Sequence, residues 1–447
     1  MRIFNRFNIS IQLIFFAAIL LFFSIKCAIS QTPEKLSYSQ AVEIALKNNL
    51  SISIATKSLD ISANNASLGN AGFLPKLDGT AQQSFGVSNT HQEYLNGNVN
   101  DKTGATSNSF SAGLSLNWTL FDGMGMFNQL DKLNESKNTA AIELKIKAES
   151  VISQVFDLYY SIAKQAAIIA LCKYSVEIST EQDRLAKHRL SLGAISKQTA
   201  LQSTVYLNTD ISTLREEERK MKNLQIALKQ VLGLKTGSPD MIISDTLLIS
   251  LAPAIEELLE TALQNNSSII LAKNTQKISD LNTKIASSSF YPDISLFANL
   301  NYQNSSTQSG FAIKNENLGL TYGINLSYNI FNGFTNQTAY ENSIIREKLS
   351  SLEIEDTRQA VESELRQAYN NYEFSLETYN IESANNELAF ENLKIADEQY
   401  RLGAISLVEM RQAQLSAIDS QIRLVNAKYN IMYANKELQR IAGMLIQ

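Results

Sequence analysis

Side chains able to do covalent, metal or proton-transfer chemistry are scarce in this sequence. The 447 residues include two cysteines, Cys27 and Cys172, and two histidines, His91 and His188. That is too few for a disulfide framework, a Cys/His zinc site or most histidine-based mechanisms. Cys172 falls in a helical stretch and reads as a small buried apolar residue. His91 lies in a polar loop and His188 stands beside Arg189 near a helix end, and both read as solvated. There is no glycine-rich phosphate loop, nucleophile elbow or metal-ligand spacing. The sequence therefore argues against an enzyme and calls for no cofactor and no metal.

What remains is a matter of architecture, beginning with charge. Lys plus Arg number 39 and Asp plus Glu 44, and loss of Arg2, Arg6 and Lys26 with a cleaved leader takes the net charge from −5 to −8. An acidic chain disfavours nucleic acid as a partner. Arg2 and Arg6 precede an apolar run from Ile11 to Phe23, and Ala28-Ile29-Ser30 places small residues before Gln31. Residues 1–30 read as a secretory signal peptide cleaved after Ser30, with Cys27 discarded. No other segment reads as a membrane helix, so insertion in a membrane would have to use strands.

Glycine and proline divide the rest of the chain. Met126 to Leu232 holds only Gly193 and no proline, and Phe334 to Ala442 holds only Gly403 and no proline. Each stretch is expected to be two helices, 125–190 and 196–232, then 335–400 and 406–442. The longer ones span on the order of 100 Å, too long for a compact domain. Val151, Val155, Tyr159 and Ile162, like Val361, Leu365, Tyr369 and Tyr372, recur at helical spacing and form packing stripes. Elsewhere the period changes to two. Phe110 to Leu120 and Leu318 to Ile330 alternate apolar with small polar residues, giving strands at 108–121 and 317–331; 76–88 and 293–303 are weaker strands because Gln83 and Phe297 fall on the wrong faces.

The chain is written twice. Ala45-Leu46-Lys47-Asn48-Asn49 matches Ala262-Leu263-Gln264-Asn265-Asn266, and Phe73-Leu74-Pro75 matches Phe290-Tyr291-Pro292. Phe121-Asp122-Gly123 matches Phe331-Asn332-Gly333, and Leu192-Gly193-Ala194-Ile195-Ser196 recurs as Leu402-Gly403-Ala404-Ile405-Ser406, these last two pairs both 210 residues apart. The repeats are 31–234 and 254–447, joined by a linker at 235–253. Each reads helix, strand, polar loop, strand, long helix, turn, helix. Ser37 with Gln40 forms a capping box, and Asp122 and Asn332 are N-cap types where a strand gives way to the longest helix. Four membrane strands leave open edges, and closed membrane barrels take about eight strands or more. Three copies, with twelve strands, leave room for a bore.

The duplicated layout, the Phe-Asp-Gly and Phe-Asn-Gly strand exits and the twin Leu-Gly-Ala-Ile-Ser turns resemble the TolC family of outer-membrane efflux proteins, over essentially the whole mature chain. The resemblance implies a mainly α fold with membrane β structure. In it a homotrimeric twelve-stranded barrel, four strands per chain, continues into a long periplasmic α-helical barrel. It implies localisation in the cell outer membrane, in contact with outer-membrane lipid, and a passive exit duct with a gated periplasmic entrance. The partners implied are two further copies of the chain, a periplasmic adaptor (membrane fusion) protein and an inner-membrane transporter of RND or ABC type.

Roles follow by position. Leu192, Gly193, Ala194, Ile195 and Ser196, with Leu402, Gly403, Ala404, Ile405 and Ser406, would be the tips that meet the adaptor. Tyr400, Glu409, Gln412 and Thr199 occupy positions of the family's periplasmic gate, where acidic residues ring the entrance; Glu409 is the one carboxylate kept. Thr199 and Ile405 stand where the prototype has a charged pair, so the latch of this chain must be built differently. For Glu409 the other reading is local pairing with Arg411 or Arg401. The rival reading of the whole is an exported, trimeric, structural or adhesive coiled-coil protein without a channel, which leaves the alternating strands unexplained.

Overall fold

The computed structural model describes residues 35–235, 237–309 and 312–446. The expected signal peptide, Cys27 and the cleavage site after Ser30 lie outside these residues. In chain order the first repeat comprises β1 (Lys35–Leu36), α1 (Tyr38–Asn48), α2 (Leu50–Asn65), β2 (Lys76–Glu93), β3 (Val99–Asp122), α3 (Gly125–Ser191) and α4 (Lys197–Val231). The linker holds β4 (Ile242–Ile243), and the second repeat comprises α5 (Ile255–Asn265), α6 (Ser267–Ser288), β5 (Asp293–Thr307), β6 (Lys314–Ser327), α7 (Thr335–Leu402) and α8 (Leu407–Ile441).

The single helix expected before each strand pair is two helices, broken at Asn49 and Asn266. Both asparagines have extended backbone and cap the helix that follows. The Asn49 side chain accepts from the Ser51 N–H at 2.8 Å, and that of Asn266 from Ser268 at 2.9 Å and Ile269 at 3.3 Å. The break has a tertiary cause. Gly233 and Gly443 end α4 and α8 at φ +68° and +70°, and a Cβ on either would lie 2.4 Å from the carbonyl oxygen of Asn48 or Asn265 respectively. The matched Asn-Asn pairs thus mark where a helix end and a helix break press together.

Contacts divide the chain into two compact units. The first comprises the described residues up to Asn48, Gln154–Leu248 and Tyr379–Tyr429. Here β1 pairs in parallel with β4 from the linker. The Tyr159 hydroxyl donates to the Leu36 carbonyl at 2.7 Å, and Asp245 accepts from the Tyr38 N–H at 2.9 Å. Ser37 and Gln40 form their capping box, with N–H to Gln40 Oε1 at 2.9 Å and N–H to Ser37 Oγ at 3.3 Å.

The second unit comprises Asn49–Ser153, Ile249–Thr378 and the chain from Asn430. It holds an antiparallel four-stranded sheet in the order β2-β3-β5-β6. The strands depart from the expected limits. β2 runs to Glu93, β3 starts at Val99, and β5 and β6 extend to Thr307 and from Lys314, because the polar hairpin tips join the backbone ladder without needing an apolar face. His91 is therefore in a strand, paired with Asp101, rather than in a loop. β6 stops at Ser327, not 331, because its partner β5 begins at Asp293, opposite Ser327.

One further expectation changes. α3 contains a stretch long and apolar enough, by length and composition, to cross a membrane. Tyr159 and Ile162 of α3 are buried within the protein.

Candidate functional site

The sheet separates its side chains by chemistry. Rows across the four strands read Leu77, Leu116, Ala298, Tyr322, then Gly79, Leu114, Leu300, Leu320, then Ala81, Ala112, Tyr302, Leu318 on one face. The other face carries Asp78, Ser115, Asn299, Thr321 and Thr80, Gly113, Asn301, Gly319. The apolar face is uncovered, with Leu320 63% and Tyr322 76% exposed. Phe297 falls among the polar rows, where it lies opposite Gly323; a Cβ there would meet its ring at 3.1 Å, so the missing side chain is what admits the aromatic. Strands β2 and β6 each have one unpaired edge. A water-filled bore on one side and hydrocarbon on the other is the setting such a sheet suits.

Where strand gives way to long helix, Asp122 ends β3 rather than capping α3, whose N-cap position is Met124, the acceptor of the Asn128 N–H at 3.2 Å. At the second exit it is the Thr335 hydroxyl that bonds back, to the Asn332 carbonyl at 2.9 Å.

At the opposite ends of α3 and α7 the twin turns have one geometry. Gly193 and Gly403 sit at φ +72° and +77°. Gly193 N–H reaches Leu190 O at 2.9 Å and Ala194 N–H reaches Arg189 O at 2.9 Å; Gly403 reaches Tyr400 at 3.0 Å and Ala404 reaches Gln399 at 2.9 Å. This is the Schellman helix end, which requires a left-handed residue and so selects glycine. Leu192 and Leu402 project with 70% and 85% of their surface exposed, and nothing lies near either glycine. Ala194, Ser196, Ala404 and Ser406 are exposed as well, while Ile195 is half-buried and Ile405 packs on a buried cluster that includes Leu393, Tyr400, Leu407 and Met410.

The gate candidates separate. Thr199 donates its N–H to Ser196 Oγ at 3.2 Å and serves as part of the α4 cap. Glu409 does the same work for α8. Its carboxylate accepts from the Ser406 N–H at 2.7 Å while its own N–H reaches Ser406 Oγ at 3.3 Å, and these bonds hold its carboxyl below the usual glutamate range. It pairs with neither Arg411 nor Arg401; Arg401 is held by Asp397 at 2.8 Å. Gln412 is exposed beside it on α8. Tyr400 is buried, 3% exposed, under the Arg189 guanidinium, which lies 5.0 Å from its ring centre and donates to the Tyr400 and Arg401 carbonyls at 2.9 and 3.0 Å. Burial raises the Tyr400 hydroxyl pKa.

Sequence reasoning missed a buried polar cluster behind these residues. Arg411 of α8 makes two 2.7 Å bonds to the Asp210 carboxylate of α4, both side chains being 8% exposed. Ser175 and Ser179 of α3 donate to Asp210, and Gln414 donates to Ser175 Oγ at 3.0 Å and Ser179 Oγ at 3.1 Å. Burial alone would raise Asp210, but the bonds from Arg411 and Ser179 outweigh it and hold the carboxyl below its ordinary range. The signal was present: Arg411 and Gln414 interrupt the stripe Leu407, Ala417, Ile418 at helical spacing. Alongside runs a groove of about 900 Å³ lined by Tyr174, Ile178, Gln182, Phe390, Leu393 and Met410.

A family model described as outer membrane efflux protein matches residues 41–234 and 258–444. The chain belongs to that family. The two matched segments fall on the two repeats. Among relatives of this outer membrane efflux protein, the outer membrane efflux protein BepC of Brucella suis is 22% identical over 405 residues, covering 90% of this chain and 84% of the relative. The toxin and drug export protein A of Aggregatibacter actinomycetemcomitans is 24% identical over 428 residues, covering 91% and 86%. The CmeC outer membrane channel of Campylobacter jejuni superposes with a TM-score of 0.76 at 18% identity, over 93% of this chain and 90% of that one. CusC superposes with a TM-score of 0.74 at 18% identity, over 92% and 93%. The protein has the fold of these outer-membrane channels and is an outer-membrane protein of the TolC family.

Proposed function

We propose that this efflux protein is the passive outer-membrane exit duct of a tripartite efflux or secretion system. Three copies pair the free edge of β2 with that of β6 in the next chain and close a barrel of twelve strands, apolar face to lipid and Ser/Thr/Asn face to the bore. The helices continue the duct through the periplasm. The tips around Gly193 and Gly403 meet the hairpin of an adaptor, which joins the duct to an inner-membrane transporter, and Glu409 with Gln412 lies at the gated entrance. The observation that carries this reading is the sheet: four strands with one uncovered apolar face and two open edges are not a structure that one chain can place in hydrocarbon. Cargo is set by the transporter, since the wall offers polar surface rather than a pocket built for one ligand.

The first test is the protein mass of the detergent-extracted particle, by light scattering with the detergent subtracted. Three mature chains are expected. A monomer, or a chain soluble without detergent, overturns the proposal in favour of a helical scaffold. In planar bilayers the trimer should conduct with a preference for cations, and Glu409→Ala should reduce that preference by removing three carboxylates from one axis.

A further inference from the structure

In the first unit the linker is pinned at two points. Buried Lys229 of α4 donates to the Ser238 carbonyl and to Asp240, both at 2.7 Å. Farther on, the Ser244 N–H reaches the Leu36 carbonyl at 3.1 Å, and the Asp245 carboxylate accepts the Tyr38 N–H at 2.9 Å. Residues 241–247 roof a cavity of about 550 Å³ whose other walls are α3, α4 and α8. Its floor is Ala163, Ala166 and Ala167, which the helical period places on one face of α3. These short side chains leave space that the pinned linker cannot sink to fill. The long helix does not itself require alanine there, since 210 residues on the same positions of α7 are Glu373, Leu376 and Glu377. Met221 and Met241 stand at the walls, flexible and polarisable side chains that adapt to an irregular occupant. The volume falls within the range of about 300–1,000 Å³ that small-molecule sites occupy.

The lining also carries a charge in need of a counterion. Among the described residues around the cavity Lys428 of α8 is the one cation; it is half-buried and makes no ion pair within them. The carboxylates of the linker are engaged elsewhere. Asp240 is held by Lys229, and Asp245, which also lines the cavity, takes the Tyr38 N–H and the Ser244 hydroxyl, bonds that keep its carboxyl below the usual aspartate range. An ammonium set in an apolar wall without a carboxylate calls for an anion. The compact charge of lysine suits a carboxylate head, and the alanine floor suits an alkyl chain, which displaces water from apolar surface as it enters. We propose that this cavity binds a long-chain carboxylate, its head on Lys428 and its alkyl chain laid along the alanine face of α3 beneath the linker. The site is complete within one unit of one chain, so it stands whether or not three copies close a barrel.

The test is photolabelling of the full-length protein in phosphatidylcholine nanodiscs with palmitate that carries a diazirine on its chain, the adducts being located by peptide mass spectrometry. Adducts are expected on residues 162–167 and around Met221 and Met241. The corresponding alcohol, with the same chain and no charge, should label these segments severalfold less. Lys428→Gln should lower the yield of the acid to that of the alcohol, Lys428→Arg should retain it, and Ala166→Leu, which fills part of the floor, should reduce both. Equal labelling by acid and alcohol, adducts confined to the apolar face of the sheet, or a yield indifferent to Lys428→Gln would each overturn the proposal. Protection of the cavity from both probes would mean that another polypeptide covers it in the assembled protein, and would overturn the proposal too. The comparison of acid with alcohol uses the unaltered chain, so it decides the matter where a variant fails to fold.

Discussion

Four left-handed glycines end four long helices, and the structure separates their tolerance of a methyl group. Gly193→Ala or Gly403→Ala introduces a Cβ into open space, so the cost is the left-handed backbone alone, about 1 kcal/mol. At Gly233 and Gly443 the same backbone cost applies, but the Cβ arrives 2.4 Å from a carbonyl oxygen of the facing helix break. A backbone oxygen does not rotate aside, so the helix ends must part, adding about 1–3 kcal/mol of overpacking. With roughly 2 °C or less lost per kcal/mol for a chain of this size, the tip variants should melt within about 2 °C of wild type, and the Gly233→Ala and Gly443→Ala variants several degrees lower. Thermal melting of the detergent-solubilised protein measures the difference. Equal shifts at all four positions would refute the reasoning, because they would mean that the close approach of Gly233 to Asn48 and of Gly443 to Asn265 does not exist.

Other consequences are as direct. Ser406→Ala removes the bond from the Glu409 N–H to Ser406 Oγ, keeps the one from the residue 406 N–H to the Glu409 carboxylate, and should cost about 1 kcal/mol locally, seen as faster amide exchange over the first turn of α8. Tyr38 and Tyr160 have hydroxyls pushed up to about 12, chiefly by burial, with Tyr160 adding to the shift of Tyr38. An unfolded chain ionises them near pH 10, so it binds fewer protons than the folded one between about pH 10 and 12. The stability they contribute is complete below pH 10 and is lost as pH rises through that window; a melting profile against pH should show the fall, and Tyr160→Phe should make it shallower. Trp118, the single tryptophan, stands on the apolar face of β3 in the row of Leu296 and Ile324. Brominated lipid should quench its fluorescence, and no quenching would mean that this face is turned away from hydrocarbon.

Legibility followed the range of the interactions. The twin tips could be read because the Schellman end is local: a glycine after a long apolar-periodic helix needs no distant partner to take φ above zero. The alternating strands could be read because side chains on the ladder face opposite ways whatever lies beyond. The capping box at Ser37 belongs to the same class. The helix breaks at Asn49 and Asn266 were visible only as matched letters. Asparagine caps a helix or sits within one with little difference in local energy, and what decides is the glycine turn of α4 or α8 pressing on the preceding carbonyl.

By itself, then, the sequence determined the duplicated plan, the lengths of the helices, the two-faced strands and the positions of the turns, since period and punctuation are written in neighbouring residues. Only the tertiary structure decided which partner Arg411 of α8 takes. The packing of α3 and α4 presents Asp210 to it, at a sequence separation of 201 residues, whereas Glu409 is turned onto Ser406 by the local cap of its own helix. The reason is desolvation: once α8 buries the face that carries Arg411, that guanidinium must find a carboxylate within the interior, and no rule of local spacing says which helix will supply it.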